Sequence, residues 1–422
     1  MTIKCKNISL AHIGLFFFLM AMYSIGTVSA ISVSWTPTLA LLILADALFL
    51  INTYVAAKRL YISKLTVVWI ILSLLCFSGV IRGSSATVLA FYLLSLLLLF
   101  MGKAIGVEIL IQGLNWVRII GIVFAAGCYW QLFFSDQYYA WLFPLFGSTY
   151  QVSIRRQFTM HRMCTGLTSQ TAVCAQFIIL GLMAAIYLYS HNKSKRKKII
   201  HILEIGFLTI GLLLTGKRSP IINLGAALIV VDLLTVKRGK KGSRILLIGL
   251  GIIFILTALN FMAPLLSESR NSLVRFFEMT NYEDIGEISN GRTTLYASAI
   301  NEFLRSPIIG IGWGKYSRLY NMTGVHNIYL QLLCECGLVG FIISVGGMIF
   351  TLRKTIKILK KQLEANDEQV VILLKCSIFI QVYIMVYGLF GNPLYDQNYL
   401  LMYCIGILLA IAAPINRVNN QK

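Results

Sequence analysis

Residues 290–340 read NGRTTLYASAINEFLRSPIIGIGWGKYSRLYNMTGVHNIYLQLLCECGLVG, and the rest of the chain is organised around them. An arginine, a Pro-Ile-Ile-Gly turn and a His-Asn pair precede the last apolar run of this stretch. Four apolar residues fall largely on one helical face: Leu295, Ile300, Phe303 and Leu304. Asn290 is a suitable helix cap, and Pro307 would end a helix. We therefore predict an amphipathic helix from Thr293 to Arg305, lying against the membrane or the top of a helix bundle.

The composition around this stretch is that of a membrane protein. The chain has 422 residues, of which 58% are hydrophobic and 13% charged, and its mean hydropathy is +0.77. A net charge of +21 raises the possibility of nucleic-acid binding. However, the basic residues lie between apolar runs and do not gather in one arm or face, so membrane orientation explains them and no nucleic-acid partner is expected.

Apolar stretches long enough to cross a bilayer follow one another along the chain. About twelve of them have the roughly 17 to 25 residues that a membrane-spanning helix needs. They occupy residues 9–31, 35–56, 65–82, 86–102, 116–134, 168–190, 199–215, 219–236, 245–265, 327–351, 370–390 and 399–414. The fold class is therefore an all-α polytopic membrane protein, and residues 1–422 are interpreted as a single integral domain.

The basic residues predict the orientation of these spans. Most of the 37 Lys and Arg residues fall in short loops on one side, with dense clusters at 193–198, 237–244 and 353–361. The positive-inside rule then places both termini in the cytoplasm. Two external segments are longer than a connection requires: 135–167, interpreted as a surface-lying or re-entrant piece, and 266–325, between the ninth and tenth spans.

A Lys-Arg pair interrupts this charge pattern on the external side. Lys217 and Arg218 stand in Thr-Gly-Lys-Arg-Ser-Pro, the short hairpin between the seventh and eighth spans. One interpretation is a pair of interfacial charges that extend to the headgroups. The other is an anion clamp, because a guanidinium binds phosphate through two parallel hydrogen bonds and keeps its charge.

Two further residues are candidates for chemistry. Arg292 lies at the predicted start of the surface helix, where free backbone N–H groups favour an anion, although it is equally compatible with a solvated loop residue. His326 begins the tenth span, as a helix cap, a core residue or a general base with an ordinary pKa near 6.5. Glu335 projects from the opposite helical face to His326, so it is expected to pack between helices or bind a backbone group.

Taken together, these residues resemble the O-antigen ligase and O-antigen polymerase superfamily. The resemblance rests on Arg292 with its helix, on Ser306-Pro-Ile-Ile-Gly-Ile-Gly312, and on His326-Asn327 followed by Leu330, Glu335, Gly337 and Gly340. A second part is Thr215-Gly-Lys-Arg-Ser219, and a weaker third is Arg162-Met-Cys-Thr-Gly166. Strong resemblance covers about 211–340, and the layout of spans agrees over the rest.

The resemblance implies a GT-C-like glycosyltransferase on the outer face of the bacterial cytoplasmic membrane. Its donor would be an oligosaccharide linked to undecaprenyl pyrophosphate, transferred with inversion and without cofactor or metal. It implies Arg218, Arg292 and His326 as catalytic residues, and contacts with the substrate from four others: Arg162, Lys217, Asn327 and Tyr329. Membrane lipid and a co-polymerase that regulates chain length are the expected partners.

Three functions remain open at this point. A polymerase of O-antigen or capsular repeat units is favoured over a ligase, because nothing in the external loop marks a second, distinct acceptor. A ligase would transfer the same glycan to lipid A-core or another acceptor. A transporter or flippase also has about twelve spans, but such folds usually have two related halves with ionisable or broken-helix sites at the membrane midplane. This chain instead concentrates its unusual residues in an asymmetric outer loop.

Overall fold

A computed structural model describes residues 9–56, 60–191, 194–236, 292–320, 324–365 and 367–413. The predicted ninth span, the Asn290 cap and the first half of the predicted loop 266–325 lie outside these residues. The described residues form helices joined by turns, without strands. The helices are α1 (Leu10–Ser24), α2 (Val28–Ser32), α3 (Thr36–Ala56), α4 (Val67–Ile81), α5 (Ala86–Met101), α6 (Val107–Phe133), α7 (Ser135–Trp141), α8 (Ser148–His161), α9 (Thr171–His191), α10 (Lys195–Leu214), α11 (Arg218–Thr235), α12 (Arg292–Arg305), α13 (Lys315–Leu319), α14 (Ile328–Ala365), α15 (Glu368–Tyr387) and α16 (Gln397–Ala412).

The helices confirm an all-α membrane protein. Of the described helices, 7 are long and apolar enough to cross a bilayer, and α1, α4 and α16 are shorter apolar helices. Helix α10 coincides with another predicted span, but it begins with the four basic residues 195–198, which shorten its apolar part. The count of about twelve spans and the GT-C-like architecture stay predictions.

Helices α9 and α15 form the centre of the bundle. In their most apolar windows 89% and 78% of the residues are buried, compared with 22% for α11. Both central helices carry apolar residues on all faces, as a helix surrounded by other helices requires. Helix α11, in contrast, is mostly half-buried.

The turns that carry the candidate residues meet at one end of the bundle, called here the upper end. Backbone N–H groups and carbonyls of different turns are joined: Ser169 to Gly26 (2.7 Å), Cys164 to Leu214 (2.9 Å) and Ile328 to Gly388 (2.8 Å). The stacked rings of Trp313 and Tyr395, 4.4 Å apart, tie the segment after α12 to the turn before α16. The upper end corresponds to the predicted external side.

Helix α14 is broken near its start, and the Pro-Ile-Ile-Gly segment fills the break. Gly337 has φ +63° and ψ −172°, which is not helical. Residues 307–312 run beside it and exchange backbone hydrogen bonds: Ile311 N–H to Cys334 O (2.9 Å), Gly312 N–H to Glu335 O (2.8 Å) and Leu338 N–H to Pro307 O (2.8 Å). These bonds satisfy backbone N–H groups and carbonyls that lose their helical partners at the break. A side chain on Gly310 or Gly337 would overlap the opposite backbone.

We expect Gly337→Ala to destabilise the protein, because alanine is strained at this φ and its Cβ would overlap the Ile308 carbonyl oxygen. The positive φ alone costs about 1–3 kcal/mol. Gly346→Ala on the same helix is the matched control, since its Cβ would meet no atom within 4 Å. Thermal unfolding in detergent should show a lower Tm for Gly337→Ala only. Equal Tm values for the two variants would contradict the break in α14 at Gly337.

Candidate active site

His326 occupies an unusual backbone conformation directly before α14. The Asn327 side-chain oxygen caps the helix by accepting hydrogen bonds from the N–H groups of Tyr329 (3.0 Å) and Leu330 (3.2 Å). His326 itself has φ +57°, the left-handed region that residues with a Cβ seldom occupy. Such conformations cluster at functional sites, where the surrounding structure holds them in place. Within the described part of the chain the imidazole makes no hydrogen bond, so it is available to a ligand.

Two cations from other segments lie close to His326. Burial of the imidazole lowers the pKa of His326 below its ordinary value, and the positive charges of Arg292 and Lys217 lower it further. The cause is electrostatic, because neighbouring positive charges disfavour the imidazolium. The site therefore holds a neutral imidazole at pH 7, next to cations from the α10–α11 hairpin and from the start of α12.

Arg218 is the neighbour of Lys217 in the α10–α11 hairpin. It follows Lys217 directly and is the first residue of α11, as Arg292 is the first residue of α12. Arg218 thus stands at a helix N-terminus, where the helix dipole adds to the attraction for an anion. Arg292 has no ion pair with any described residue. Lys217, Arg218 and Arg292 are called the upper cationic cluster below.

The segment after Arg162 lies beside the α10–α11 hairpin. The N–H of Cys164 donates to the Leu214 carbonyl at 2.9 Å, three residues before Lys217. Gln131 Oε1 fixes the same segment by accepting hydrogen bonds from the N–H groups of Thr165 (2.8 Å) and Gly166 (2.9 Å). The guanidinium of Arg162 lies 5.4 Å from the centre of the Phe158 ring. The second and third parts of the resemblance are therefore neighbours in space, while contact of Arg162 with substrate stays a prediction.

Asn327 and Tyr329 have structural contacts in addition to the binding role predicted for them. Asn327 caps α14, as described above, and the Tyr329 hydroxyl donates to the Met385 carbonyl at 2.6 Å. Together with the Ile328–Gly388 bond, this contact holds the start of α14 against the end of α15. Asn327 and Tyr329 therefore hold the backbone next to His326 in place.

Glu335 holds the segment between α12 and α14 in place. Its carboxylate accepts hydrogen bonds from the N–H groups of Gly314 (2.6 Å) and Tyr316 (3.0 Å) and from the Tyr395 hydroxyl. The expectation that Glu335 binds backbone groups is confirmed. The Tyr316 hydroxyl in turn donates to the Leu295 carbonyl of α12 at 2.9 Å. Glu335 therefore positions the helix that begins with Arg292.

Tyr387 and Asp396 belong to this region although sequence reasoning did not select them. The Tyr387 hydroxyl is within electrostatic range of both Arg292 and Asp396, and its ring stacks on Tyr399 at 4.2 Å. Burial raises the pKa of Asp396 to about 7. A carboxyl group that titrates near neutrality beside a cationic site is a candidate for proton transfer. The only sequence signal was a polar Asn-Pro-Leu-Tyr-Asp turn between two apolar runs.

One known family matches the part of the chain that carries most of this site. Residues 205–345 match the family model described as O-Antigen ligase. The resemblance to the O-antigen ligase and polymerase superfamily is confirmed. The O-antigen ligase region contains the upper cationic cluster, His326 and Glu335, whereas Arg162, Tyr387 and Asp396 lie outside the matched residues. No curated protein matches the chain.

The family match and the apolar helices together support a membrane protein of this type. The match over residues 205–345 supports a protein of the ligase and polymerase type. The apolar helices supply the membrane context that a lipid-linked substrate needs.

Proposed function

We propose that this protein polymerises oligosaccharide repeat units carried on undecaprenyl pyrophosphate, at the external face of the cytoplasmic membrane. The observation that supports the proposal is the meeting of Lys217 and Arg292 at His326 within the O-antigen ligase region. A diphosphate requires fixed cations, and the attacking sugar hydroxyl requires a nearby base. The upper end of the bundle offers both.

The proposed reaction is a single displacement at the anomeric carbon of the donor glycan. The bond from that carbon to the pyrophosphate oxygen breaks, while a hydroxyl oxygen of the acceptor sugar forms the new glycosidic bond. Attack opposite to the leaving group inverts the anomeric centre. Negative charge develops on the leaving diphosphate, and Arg218, Arg292 and Lys217 stabilise it as it forms. These fixed cations make the transfer metal-independent.

His326 accepts the proton that the acceptor hydroxyl loses. Its lowered pKa keeps the imidazole neutral at pH 7, which is the form able to accept a proton. Once the proton has been transferred, the imidazolium lies next to the newly released diphosphate, and their opposite charges stabilise each other.

Ligation is the second candidate, because the matched family model carries the description of a ligase. Polymerase and ligase share the donor and the chemistry of the leaving group, and they differ only in the acceptor. A polymerase extends a second lipid-linked repeat unit, whereas a ligase transfers the glycan to a different surface lipid.

The test is transfer by purified protein in the presence of EDTA. With one lipid-linked repeat unit as the only substrate, a polymerase makes longer glycan and releases one undecaprenyl pyrophosphate for each new bond. Product formed only after addition of lipid A-core would identify a ligase. Movement of the donor across the bilayer without new glycosidic bonds would identify a transporter and overturn the proposal.

We expect activity to fall as the pH drops through the lowered pKa of His326, because the protonated imidazole accepts no proton. Lys217→Gln removes one of the charges that lower this pKa, so the acidic limb of the pH–kcat/KM profile should move to higher pH. Lys103→Gln is the control, since Lys103 lies over the Tyr61 ring at the opposite end of the bundle. An unchanged limb in Lys217→Gln would exclude His326 as the titrating base.

A further inference from the structure

A second group of exposed cations lies at the upper end, at the end of α4 and on α13. Arg82 is at the carboxyl end of α4, and Lys315 and Arg318 belong to α13. All three side chains are exposed. They are called the α4–α13 cluster here, and neither the family match nor the proposed chemistry assigns them a role.

Direct contact between two segments brings these cations together. The Ser84 hydroxyl donates to the Trp313 carbonyl at 2.5 Å. A Cβ on Gly79 would lie 2.6 Å from the same carbonyl oxygen, so the end of α4 fits closely against the segment before α13. This contact fixes Arg82 relative to α13.

The positions around two glycines show how close the charged groups lie. A Cβ built on Gly312 would be 3.4 Å from Arg82 Nη1 and 3.8 Å from Lys315 Cδ. A Cβ built on Gly83, the neighbour of Arg82, would be 3.2 Å from Arg318 Nη1. The three cationic side chains therefore surround one junction between α4 and α13.

The charge of this cluster is not neutralised by the described residues. None of the three cations forms an ion pair with a described residue. Ion pairs are formed by other residues, for example between Arg305 and Glu302 at 2.8 Å. Holding like charges together is unfavourable unless an anion joins them. Two guanidinium groups and an ammonium group match a phosphate or diphosphate, which accepts several charge-assisted hydrogen bonds.

The α4–α13 cluster is mechanically connected to the candidate active site. Glu335 binds the N–H groups of Gly314 and Tyr316, which flank Lys315. Tyr316 binds α12, whose first residue is Arg292. The same contacts of Glu335 and Tyr316 therefore position both groups of cations relative to each other.

We propose that the α4–α13 cluster binds the phosphate-bearing head group of the acceptor lipid. This inference rests on the proposed transfer between two lipids, in which the upper cationic cluster is occupied by the donor diphosphate. An acceptor sugar carried on its own lipid brings a second anionic head group to the same end of the bundle. A separate group of cations for that head group holds both lipids at once and orients the acceptor sugar.

The test counts bound prenyl diphosphate. Farnesyl diphosphate is titrated into protein in phosphatidylcholine nanodiscs, and stoichiometry is read by native mass spectrometry. We expect two bound molecules for the wild type, one for Arg82→Gln/Arg318→Gln and one for Lys217→Gln/Arg292→Gln. Affinity at the altered cluster should fall at least tenfold, while the exposed Arg156→Gln on α8 should keep both sites. Circular dichroism and Tm of each variant confirm folding.

The outcomes separate this inference from the proposed function. Two bound molecules in Arg82→Gln/Arg318→Gln, or a single wild-type site lost only in Lys217→Gln/Arg292→Gln, would overturn the inference and leave the donor site standing. Two bound molecules in Lys217→Gln/Arg292→Gln would instead overturn the donor site. Repeating the titration in phosphatidylglycerol nanodiscs identifies the occupant. Loss of the Arg82-dependent site there would assign it to an ordinary phospholipid and overturn the acceptor role.

Discussion

Replacing Arg292 with glutamine should reduce the rate of glycan transfer by about 10²–10³-fold, the usual loss when one fixed donor to a developing negative charge is removed. Arg292 has no ion pair with a described residue, and its charge acts on both His326 and Tyr387. Glutamine keeps much of the length and polarity of the side chain but removes the charge and the two-pronged hydrogen bonding. Arg292→Gln should therefore lower both the rate of the chemical step and the affinity for the donor.

The matched control for Arg292 is another arginine on the same helix. Arg305 ends α12, its side chain is 75% exposed, and it pairs with Glu302. Arg305→Gln should change the rate by less than about twofold, since the Arg305 side chain is exposed and the buried Glu302 keeps the hydrogen bond from the Tyr320 hydroxyl. Initial rates of undecaprenyl pyrophosphate release measure both variants. A near-normal rate for Arg292→Gln would remove Arg292 from the site.

Replacing His326 with asparagine should lower kcat by about 10²–10⁴-fold, the contribution of a positioned general base. Asparagine tolerates the left-handed conformation that His326 adopts at φ +57°, so the backbone before α14 should be retained. Donor affinity should stay near the wild-type value, because the cations remain. This separates His326 from Arg292, whose replacement affects both quantities.

The control for His326 is a histidine at another position. His12 near the start of α1 bonds the Ser9 hydroxyl at 2.7 Å, and His12→Asn should leave kcat unchanged. Single-turnover kinetics with saturating donor isolate the chemical step. If His326→Asn retained most of the wild-type single-turnover rate, the base would have to be another group, and Asp396 would be the next to test.

The apolar runs were sufficient to predict the helical class and most helix positions. Long runs allow only helices in a bilayer, so length and composition decide the class. The surface helix was also predictable, and the structure has it at Arg292–Arg305, one residue longer than expected. Pro307 lies just beyond the end of this helix, as expected because proline has no backbone N–H to donate within a helix.

The face of that helix was harder to predict. Ala299 and Glu302 are its buried residues, whereas Ile300 and Leu304 are 45% and 67% exposed. Periodicity gives the apolar side of a helix but not which neighbours cover it. Here the segment after the helix covers one edge and leaves the other apolar edge open.

The details of the site depend on contacts that no local pattern encodes. A glycine within an apolar run is common in membrane helices, so nothing local marks Gly337 as a break filled by residues 307–312. Tyr387 and Asp396 come from a turn distant in sequence, and only packing brings them near Arg292. The proximity of Lys217 to His326 is likewise a tertiary contact.

The most direct test of the central claim is a double-mutant cycle on donor binding. The claim is that cations from separate segments bind one diphosphate, so Lys217 and Arg292 should act on the same ligand. Affinity for the lipid-linked donor is measured for wild type, Lys217→Gln, Arg292→Gln and the double variant. We predict a coupling free energy of about 0.5–3 kcal/mol, as for groups that share a partner. Additive losses, with coupling below about 0.3–0.5 kcal/mol, would show that the two cations serve separate ligands and would contradict the account.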